Sequence, residues 1–406
     1  MLSAEKLISE SEKKLKLLFA QADEIAQFNQ GKVLDAFRNA KIALRHFAAS
    51  TGYGYGDEGR DTLNALFADV FGAEASLVSP HLLSGTHALT AALFGVLKTG
   101  DVLYSISGNP YDTLLEVIGG KNVGSLADYG IGYKKTDLKE GDFDLSAIQE
   151  GLKDPRVKVV YIQRSRGYEW RDALSEEKIK NVCSFVRGQG FSGCIFVDNC
   201  YGEFVEKTEP TQCGADLAVG SLIKNAGGGL APTGGYIAGK KEYVDAVARR
   251  VTAPSVGAEI GSYAFGYQYF YQGIFMAPHV VSQAVKGSLL IGQCLQSLGY
   301  ETSPSLDCLP FDITRAIRFK TKNELIGFIQ AVQEASPVDS FLTLEPWDMP
   351  GYGDQVIMAA GTFVQGASIE LSADAPIKEP YTAYFQGGLT YEHCKYALAK
   401  VLEKIA

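Results

Sequence analysis

GCIFVDN at 193–199 and DLAVGSLIKNAGGG at 216–229 each carry a short apolar run that ends at a charged residue, Asp198 in the first and Lys224 in the second. Apolar runs of this length, bounded by turn-forming residues, read as buried strands. The same rhythm extends upstream. RVKVVYIQ (156–163) is a strand candidate and EEKIKNVCSFVRGQ (176–189) has helical spacing. DVLYSIS (101–107) precedes the helix-forming TLLEVIG, while SLVS (76–79) and GGYIAGK (234–240) are further strand candidates. Strands alternating with helices predict an α/β domain built on a mainly parallel sheet.

On either side of this region the pattern changes. Residues 3–48 read as helical, with Leu7, Ile8, Leu15, Leu18, Phe19, Ile25 and Phe28 at helical spacing among charges. TGYGYGDEGR (51–60) breaks the pattern before a helix carrying Leu63, Leu66 and Phe67. SGTHALTAALFGVL (84–97) is a helix with a serine at its start, a good capping residue. A long helical stretch at 276–298 leads away from the α/β region. From 310 onward a helix at 322–335 lies between strand candidates at 312–319 and 355–371, and a last helix spans about 390–405. The expected division is a helical arm at 1–50, a large domain at 51–285 and a smaller α+β domain at 286–406.

Composition narrows the function. The chain has 406 residues and a net charge of −9, so it is a poor candidate for nucleic-acid binding, which needs clustered cations. The N-terminal MLSAEKLISESEKKLKLL is charged from Glu5 onward and has no apolar signal stretch. No run of 18 apolar residues occurs, so no membrane span is expected. The seven cysteines form no CxxC pair and read as reduced thiols of a cytoplasmic protein. The five histidines lack ligand spacing, so no metal site is expected. Glycine is in excess at 44 residues.

Several motifs carry chemistry. Gly54-Tyr55-Gly56-Asp57-Glu58-Gly59 matches GxGxxG, but a helix rather than a strand precedes it, so it does not read as a dinucleotide site. Ser84-Gly85-Thr86 stands at a helix start after a short strand, where free N–H groups can hold a phosphate. Asp198 ends a strand, the place where open α/β sheets bind ligands. Lys224 follows an apolar segment, which predicts a lowered pKa and a nucleophilic amine suited to a Schiff base. Tyr111 lies between the helix start and the aspartate, and Ser221 shortly before the lysine. An amine, a carboxylate, an aromatic ring and a phosphate cup are what pyridoxal 5′-phosphate (PLP) requires.

With these residues in view, the sequence resembles the fold-type-I PLP enzymes of the cystathionine γ-lyase group, and more closely the branch known as methionine γ-lyase family or aluminium resistance protein. GYGYGDEGRDTL (52–63), SGTHAL (84–89), GNPYDTL (108–114), FVDNCYGEF (196–204), SLIKNAGGGLAPTGGYIAG (221–239), YQGIFMAPHVV (271–281) and QGGLTYEH (386–393) carry the resemblance. It implies a PLP-dependent transferase-like fold with a mainly parallel seven-stranded sheet in the large domain. It also implies roles. Lys224 would bind the cofactor aldehyde and then act as acid and base, Asp198 would pair with the pyridine nitrogen, and Tyr111 would stack on the ring. Ser84, Gly85, Thr86 and Ser221 would hold the phosphate. The group forms homotetramers built of dimers, in which an N-terminal Tyr and Arg reach the neighbour's phosphate. Tyr55 and Arg60 match these, although they stand further apart than the group's pattern. The group also holds the substrate carboxylate with a C-terminal Arg. The stretch Thr382-Ala383-Tyr384-Phe385-Gln386-Gly387-Gly388 has none. Arg164 and Arg166 are the candidates to replace it, with Arg315 and Arg318 as weaker ones.

The resemblance therefore implies a carbon–sulfur lyase acting on a sulfur-containing amino acid, such as methionine, cystathionine or cysteine. Two alternatives stay open: a PLP enzyme of another reaction type, such as an aldolase or aminotransferase, and a PLP-binding stress or metal-tolerance protein without lyase activity. Cys200, beside Asp198, reads as packing or as a redox-sensitive thiol. Tyr267, Tyr269, Phe270 and Tyr271 read as core, as subunit interface or as pocket lining.

Overall fold

The computed structural model describes residues 3–349 and 352–405. Helix α1 (Ala4–Asn39) is capped by Ser3, whose Oγ accepts from the Lys6 amide at 3.3 Å. Its apolar face, including Leu7, Leu15, Leu18 and Val33, is buried. Each such leucine contributes about 1.5–3 kcal/mol. Then follow α2 (Glu58–Phe71), β1 (Ala75–Ser79), α3 (Gly85–Val96), β2 (Val102–Ser105), α4 (Asp112–Gly119), β3 (Gly132–Lys135), α5 (Leu145–Gly151) and β4 (Val157–Gln163). The chain continues through α6 (Glu176–Gly188), β5 (Cys194–Asp198), β6 (Leu217–Ser221), β7 (Gly235–Gly239), α7 (Lys241–Val251) and α8 (Gln268–Ser297).

These strands form a seven-stranded sheet in the order β1-β7-β6-β5-β4-β2-β3. Strands β3, β2, β4, β5 and β6 run parallel, while β7 runs antiparallel to both β6 and β1. Both faces are covered, as a parallel sheet requires. The two-residue strand period sorts the side chains. Leu103, Val159, Tyr161, Cys194, Phe196, Leu217 and Val219 pack toward α3, α4 and α7. Val102, Tyr104, Val160, Ile162, Ile195 and Val197 pack toward α6 on the other face.

A second, antiparallel sheet follows, with β8 (Glu301–Ser303), β9 (Thr314–Arg318), α9 (Lys322–Glu334), β10 (Val356–Ala359), β11 (Ser372–Pro376), β12 (Thr382–Gln386) and α10 (Tyr391–Ile405). Its strand order is β10-β11-β12-β9-β8. The expected strand over 355–371 is only partly present. It stops at Ala359, because the Glu370 carboxylate accepts from the amides of Phe363 and Val364, both at 2.9 Å, and folds that segment into a loop. Strand β11, Ser-Ala-Asp-Ala-Pro, escapes a propensity reading because alanine, aspartate and proline are poor strand formers. Its proline is tolerated because pairing with β12 involves only Ser372–Asp374.

Helix α8 joins the two sheets and runs unbroken through 285/286, where the sequence suggested a domain boundary. By length and composition it could cross a membrane, but 72% of its most apolar window is buried within the fold, where it packs against α1, α10 and the second sheet. Tyr267, Phe270 and Tyr271 at its start are core residues, while Tyr269 is exposed. Helix α8 also passes very close to the turn after Lys224. A Cβ added at Gly273 would lie 2.4 Å from the Gly227 carbonyl oxygen, so only glycine allows this approach. Gly273→Ala is expected to destabilise the protein by about 1–3 kcal/mol through overpacking, measured by denaturant unfolding.

Candidate active site

A cavity of about 360 Å³ opens at the carboxyl ends of β4, β5 and β6. It is lined by Ser84, Gly85, Thr86, Tyr111, Asp198, Ser221 and Lys224, which are widely spaced in sequence. Second-sheet residues, including Thr314, Asp374, Tyr384 and Gln386, close the other side. Strand alternation explains the convergence. Gln163, Asp198 and Ser221 end adjacent strands in the same phase, facing α3 and α4.

Each group is positioned from behind. Ser84 caps α3, its Oγ accepting from the His87 amide at 3.1 Å. Gly85 brings that helix start close to the strand ends, since a Cβ there would lie 3.3 Å from both Cys200 Sγ and Ser221 Cβ. Thr86 Oγ1 and Tyr111 Oη share a hydrogen bond of 2.8 Å. The Tyr111 amide donates to Gln163 Oε1 at 2.8 Å, which fixes the ring at the cavity wall.

Asp198 is only 3% exposed. Its Oδ1 accepts from the Cys200 amide at 3.1 Å and its Oδ2 from Tyr161 Oη at 3.3 Å. Burial pushes its pKa up, while the Lys224 ammonium and these hydrogen bonds oppose the shift. Lys224 Nζ lies 4.0 Å from the centroid of the Tyr201 ring. Tyr201 holds a left-handed φ of 74°, unusual for a non-glycine residue. Burial alone lowers the Lys224 pKa, but Cys200, Tyr201, Asp198 and Tyr111 around it raise it above the ordinary lysine value. The lowered pKa expected from the apolar segment is thereby corrected, because that segment lies in β6 whereas the amine faces acids from other elements. Cys200 is buried with its thiol pKa pushed up, which makes it a packing residue rather than a reactive thiol.

A protein-family model described as methionine gamma-lyase matches residues 4–406. The chain belongs to this family. It is 50% identical over 389 residues to YnbB of Bacillus subtilis, a match covering 95% of this chain and 92% of that one. It is 48% identical to a solved structure of a carbon–sulfur lyase involved in aluminum resistance from Clostridium novyi, with a TM-score of 0.96 and coverage of 99% and 96%. The PLP-dependent protein YhfS from Escherichia coli, 16% identical with a TM-score of 0.64, covers 94% of this chain and 97% of its own, and shares the fold. So does a methionine gamma lyase from Micromonospora echinospora, 16% identical with a TM-score of 0.59 and coverage of 89% and 93%. These likenesses place the large sheet in the fold type of PLP-dependent enzymes.

In this family member the arginine candidates do not line the cavity, which corrects the expectation for Arg164 and Arg166. Gln163 faces the cavity, so the next residue, Arg164, faces the opposite side of the sheet. There it pairs with Glu176 and Glu206, both at 2.7 Å, and donates to Asn199 Oδ1 at 2.8 Å. Arg166 donates to Ser303 Oγ at 3.2 Å and lies 3.8 Å from Asp172. Arg315 alternates with the cavity-lining Thr314 and donates to Ser288 O on α8 at 3.1 Å. Arg318 pairs with Glu301 at 2.8 Å and stacks on Trp170. Tyr55 and Arg60 also lie away from the cavity lining of their own chain. Tyr55 is 63% exposed, and Arg60 is buried, its Nη1 donating to Gly54 O at 2.9 Å.

Beneath Asp198, on the opposite face, lies a buried acid network. Asn199 Nδ2 donates to Glu209 Oε2 at 2.9 Å, and Tyr236 Oη donates to Glu203 Oε1 at 2.8 Å. Burial pushes the Glu203 carboxyl from an ordinary 4.5 up to about 8, so it is largely protonated at neutral pH. The folded state therefore binds this proton more tightly than the unfolded state, and stability falls as pH rises from about 4.5 to 8. Glu203→Gln is expected to flatten that fall, measured by urea unfolding across this pH range.

Proposed function

We propose that the cavity holds PLP and that the protein is a carbon–sulfur lyase acting on a sulfur-containing amino acid. The observation that carries this reading is the meeting of Asp198 and Lys224 with the start of α3 around one cavity, in a member of the methionine gamma-lyase family. The residues suit the cofactor. Gly85 keeps the helix start open to a phosphate, beside the Ser84, Thr86 and Ser221 hydroxyls. Asp198 would hold the proton on the pyridine nitrogen, Tyr111 would cover the ring, and Lys224 Nζ would bind the aldehyde. When bound, the cofactor supplies an electron sink for the pair left at the substrate α-carbon. Lys224 Nζ, released by the incoming amine, would take the α-proton and later return it. Tyr201 borders the lysine and limits the positions its amine can take.

A PLP enzyme of another reaction type is the second reading, favoured by the lack of an arginine among the described lining residues. One set of assays separates the two. The purified protein should show the visible absorbance band of a lysine-bound cofactor, and Lys224→Ala should lose both that band and activity by several orders of magnitude. A panel of amino acids scored for 2-oxo acid, thiol and ammonia tests the lyase reading directly. 2-Oxobutanoate with methanethiol marks methionine cleavage, and pyruvate with sulfide marks cysteine cleavage. Transamination or retro-aldol products without thiol would favour the second reading.

We further propose that the working form is a homotetramer built of two dimers, in which Tyr55 reaches a neighbouring cofactor site. The loop around it is anchored from behind. Tyr267 Oη donates to Asp57 Oδ2 at 2.8 Å and Tyr271 Oη to Gly59 O at 2.7 Å, while Tyr53, Tyr55 and Phe265 remain exposed. Mixing inactive Lys224→Ala subunits with Tyr55→Ala subunits should restore part of the activity, because mixed dimers contain one intact site. Sedimentation should show at least a dimer.

A further inference from the structure

The cavity wall has an uneven charge pattern. Among the described residues that line it, the charged side chains are Lys224 and three carboxylates, Asp112, Asp198 and Asp374. Asp198 faces Lys224, and Asp112 lies exposed at the start of α4. Asp374 is different. It projects from β11, a central strand of the second sheet, and is 8% exposed. Its Oδ1 accepts from Gln386 Nε2 at 3.1 Å and its Oδ2 from Tyr168 Oη. Both partners are neutral, and no salt bridge reaches it among the described residues, although the Lys224 ammonium is near enough to favour its charged form. A carboxylate buried without a cation is costly, and two neutral donors compensate it only in part.

The rings beside it share its polarity. Tyr168 lies 4.9 Å from Tyr384 and 5.9 Å from Tyr352, centroid to centroid, and all three line the cavity. Aromatic faces attract cations through their quadrupole, most strongly where water is excluded. The carboxylate, held by the Tyr168 phenol, thus stands at the edge of a cluster of three phenol rings and gives that part of the wall a negative, polarisable character. It would repel a carboxylate and attract a positive charge. In the loaded protein the Lys224 amine would be held by the cofactor until the substrate amine displaces it, so it would not be a fixed counter-charge for Asp374 when the substrate enters.

We propose that Asp374, with the rings of Tyr168, Tyr352 and Tyr384, is the recognition site for a positively charged group on the substrate side chain, an ammonium or a sulfonium. The inference rests on the lyase reading above and deepens it, since it specifies a cationic sulfur-containing amino acid rather than a neutral one. It also accounts for an arginine-free cavity, because a guanidinium beside Asp374 would occupy the place of the substrate cation.

The test uses matched pairs on the holoenzyme. One pair is S-methylmethionine, a sulfonium, against methionine. The other is a thioether amino acid with a distal ammonium against the same thioether lacking that amine. The readouts are kcat/KM and the calorimetric Kd of the carbon isosteres of the second pair, which cannot eliminate a thiol. The wild type is expected to prefer the cationic member of at least one pair by roughly 10- to 100-fold, and the preferred pair identifies the cation. Asp374→Asn should collapse that ratio toward one. If Asp374→Asn does not fold, Tyr352→Leu should lower the ratio severalfold. Equal preference in the wild type, or an equal loss on both members of a pair, would overturn the proposal. Absence of the cofactor band, of thiol release and of dimethyl sulfide release from S-methylmethionine would instead sink the lyase reading, while the Kd comparison would still decide the cation site.

Discussion

A carboxylate buried at the end of a strand must be given partners, and Asp198 is that carboxylate here. At 3% exposure it relies on the Cys200 amide, the Tyr161 phenol and the Lys224 ammonium. Removing water from an ion costs several kcal/mol, so these groups have to converge. Their convergence fixes the turn after β5, the turn after β6 and the distance between the two strand ends. Gly85 then lets the start of α3 close the remaining side. The cavity is thus a consequence of how one charge is accommodated.

The sheet separates charges by face. On the cavity face stand Asp198, Ser221 and Gln163. On the other face Arg164 holds Glu176 and Glu206, next to Glu203 and Glu209. Polar residues adjacent in sequence therefore have different tasks. Asn199 belongs to the lower network through Arg164 and Glu209, while Asp198 belongs to the cavity. The second sheet adds a wall with a different chemistry, acidic at Asp374 and aromatic at Tyr384, with Tyr168 from the segment between β4 and α6 beside them.

Much of the large sheet was legible because its strands are buried on both faces and so appear as short apolar runs. Strands β4, β5 and β6 fall within the segments expected from the sequence. Strand β3 did not stand out, since Gly-Tyr-Lys-Lys is a short edge strand with a polar pattern. Helix α7 and strands β11 and β12 were also unread. The family resemblance located Lys224, Asp198, Tyr111 and the Ser84–Thr86 turn, and the fold brings all of them to one cavity. Arg164 and Arg166 failed for a reason available in principle. With Asp198 facing the cavity, the parallel register with β4 puts Gln163 on that side and Arg164 on the other. Tyr201, Tyr168 and Asp374 gave no local signal, because an aromatic residue or an aspartate in a polar stretch resembles any surface residue.

The sequence by itself determined the alternating α/β order, the strand-end position of Asp198, the place of Lys224 just beyond a strand, and the capped start of α3. These depend on local patterns: apolar runs, turn residues and a capping serine. Only the tertiary structure decided what surrounds Lys224, that the arginines make their ion pairs and hydrogen bonds elsewhere, and that Asp374 enters the cavity from a second sheet. Those outcomes depend on contacts between segments far apart in the chain, such as Tyr168 with Asp374, and on which face of a strand a side chain takes. A strand's register is settled by its neighbours in space, so the charge of the cavity wall exists only once both sheets have met.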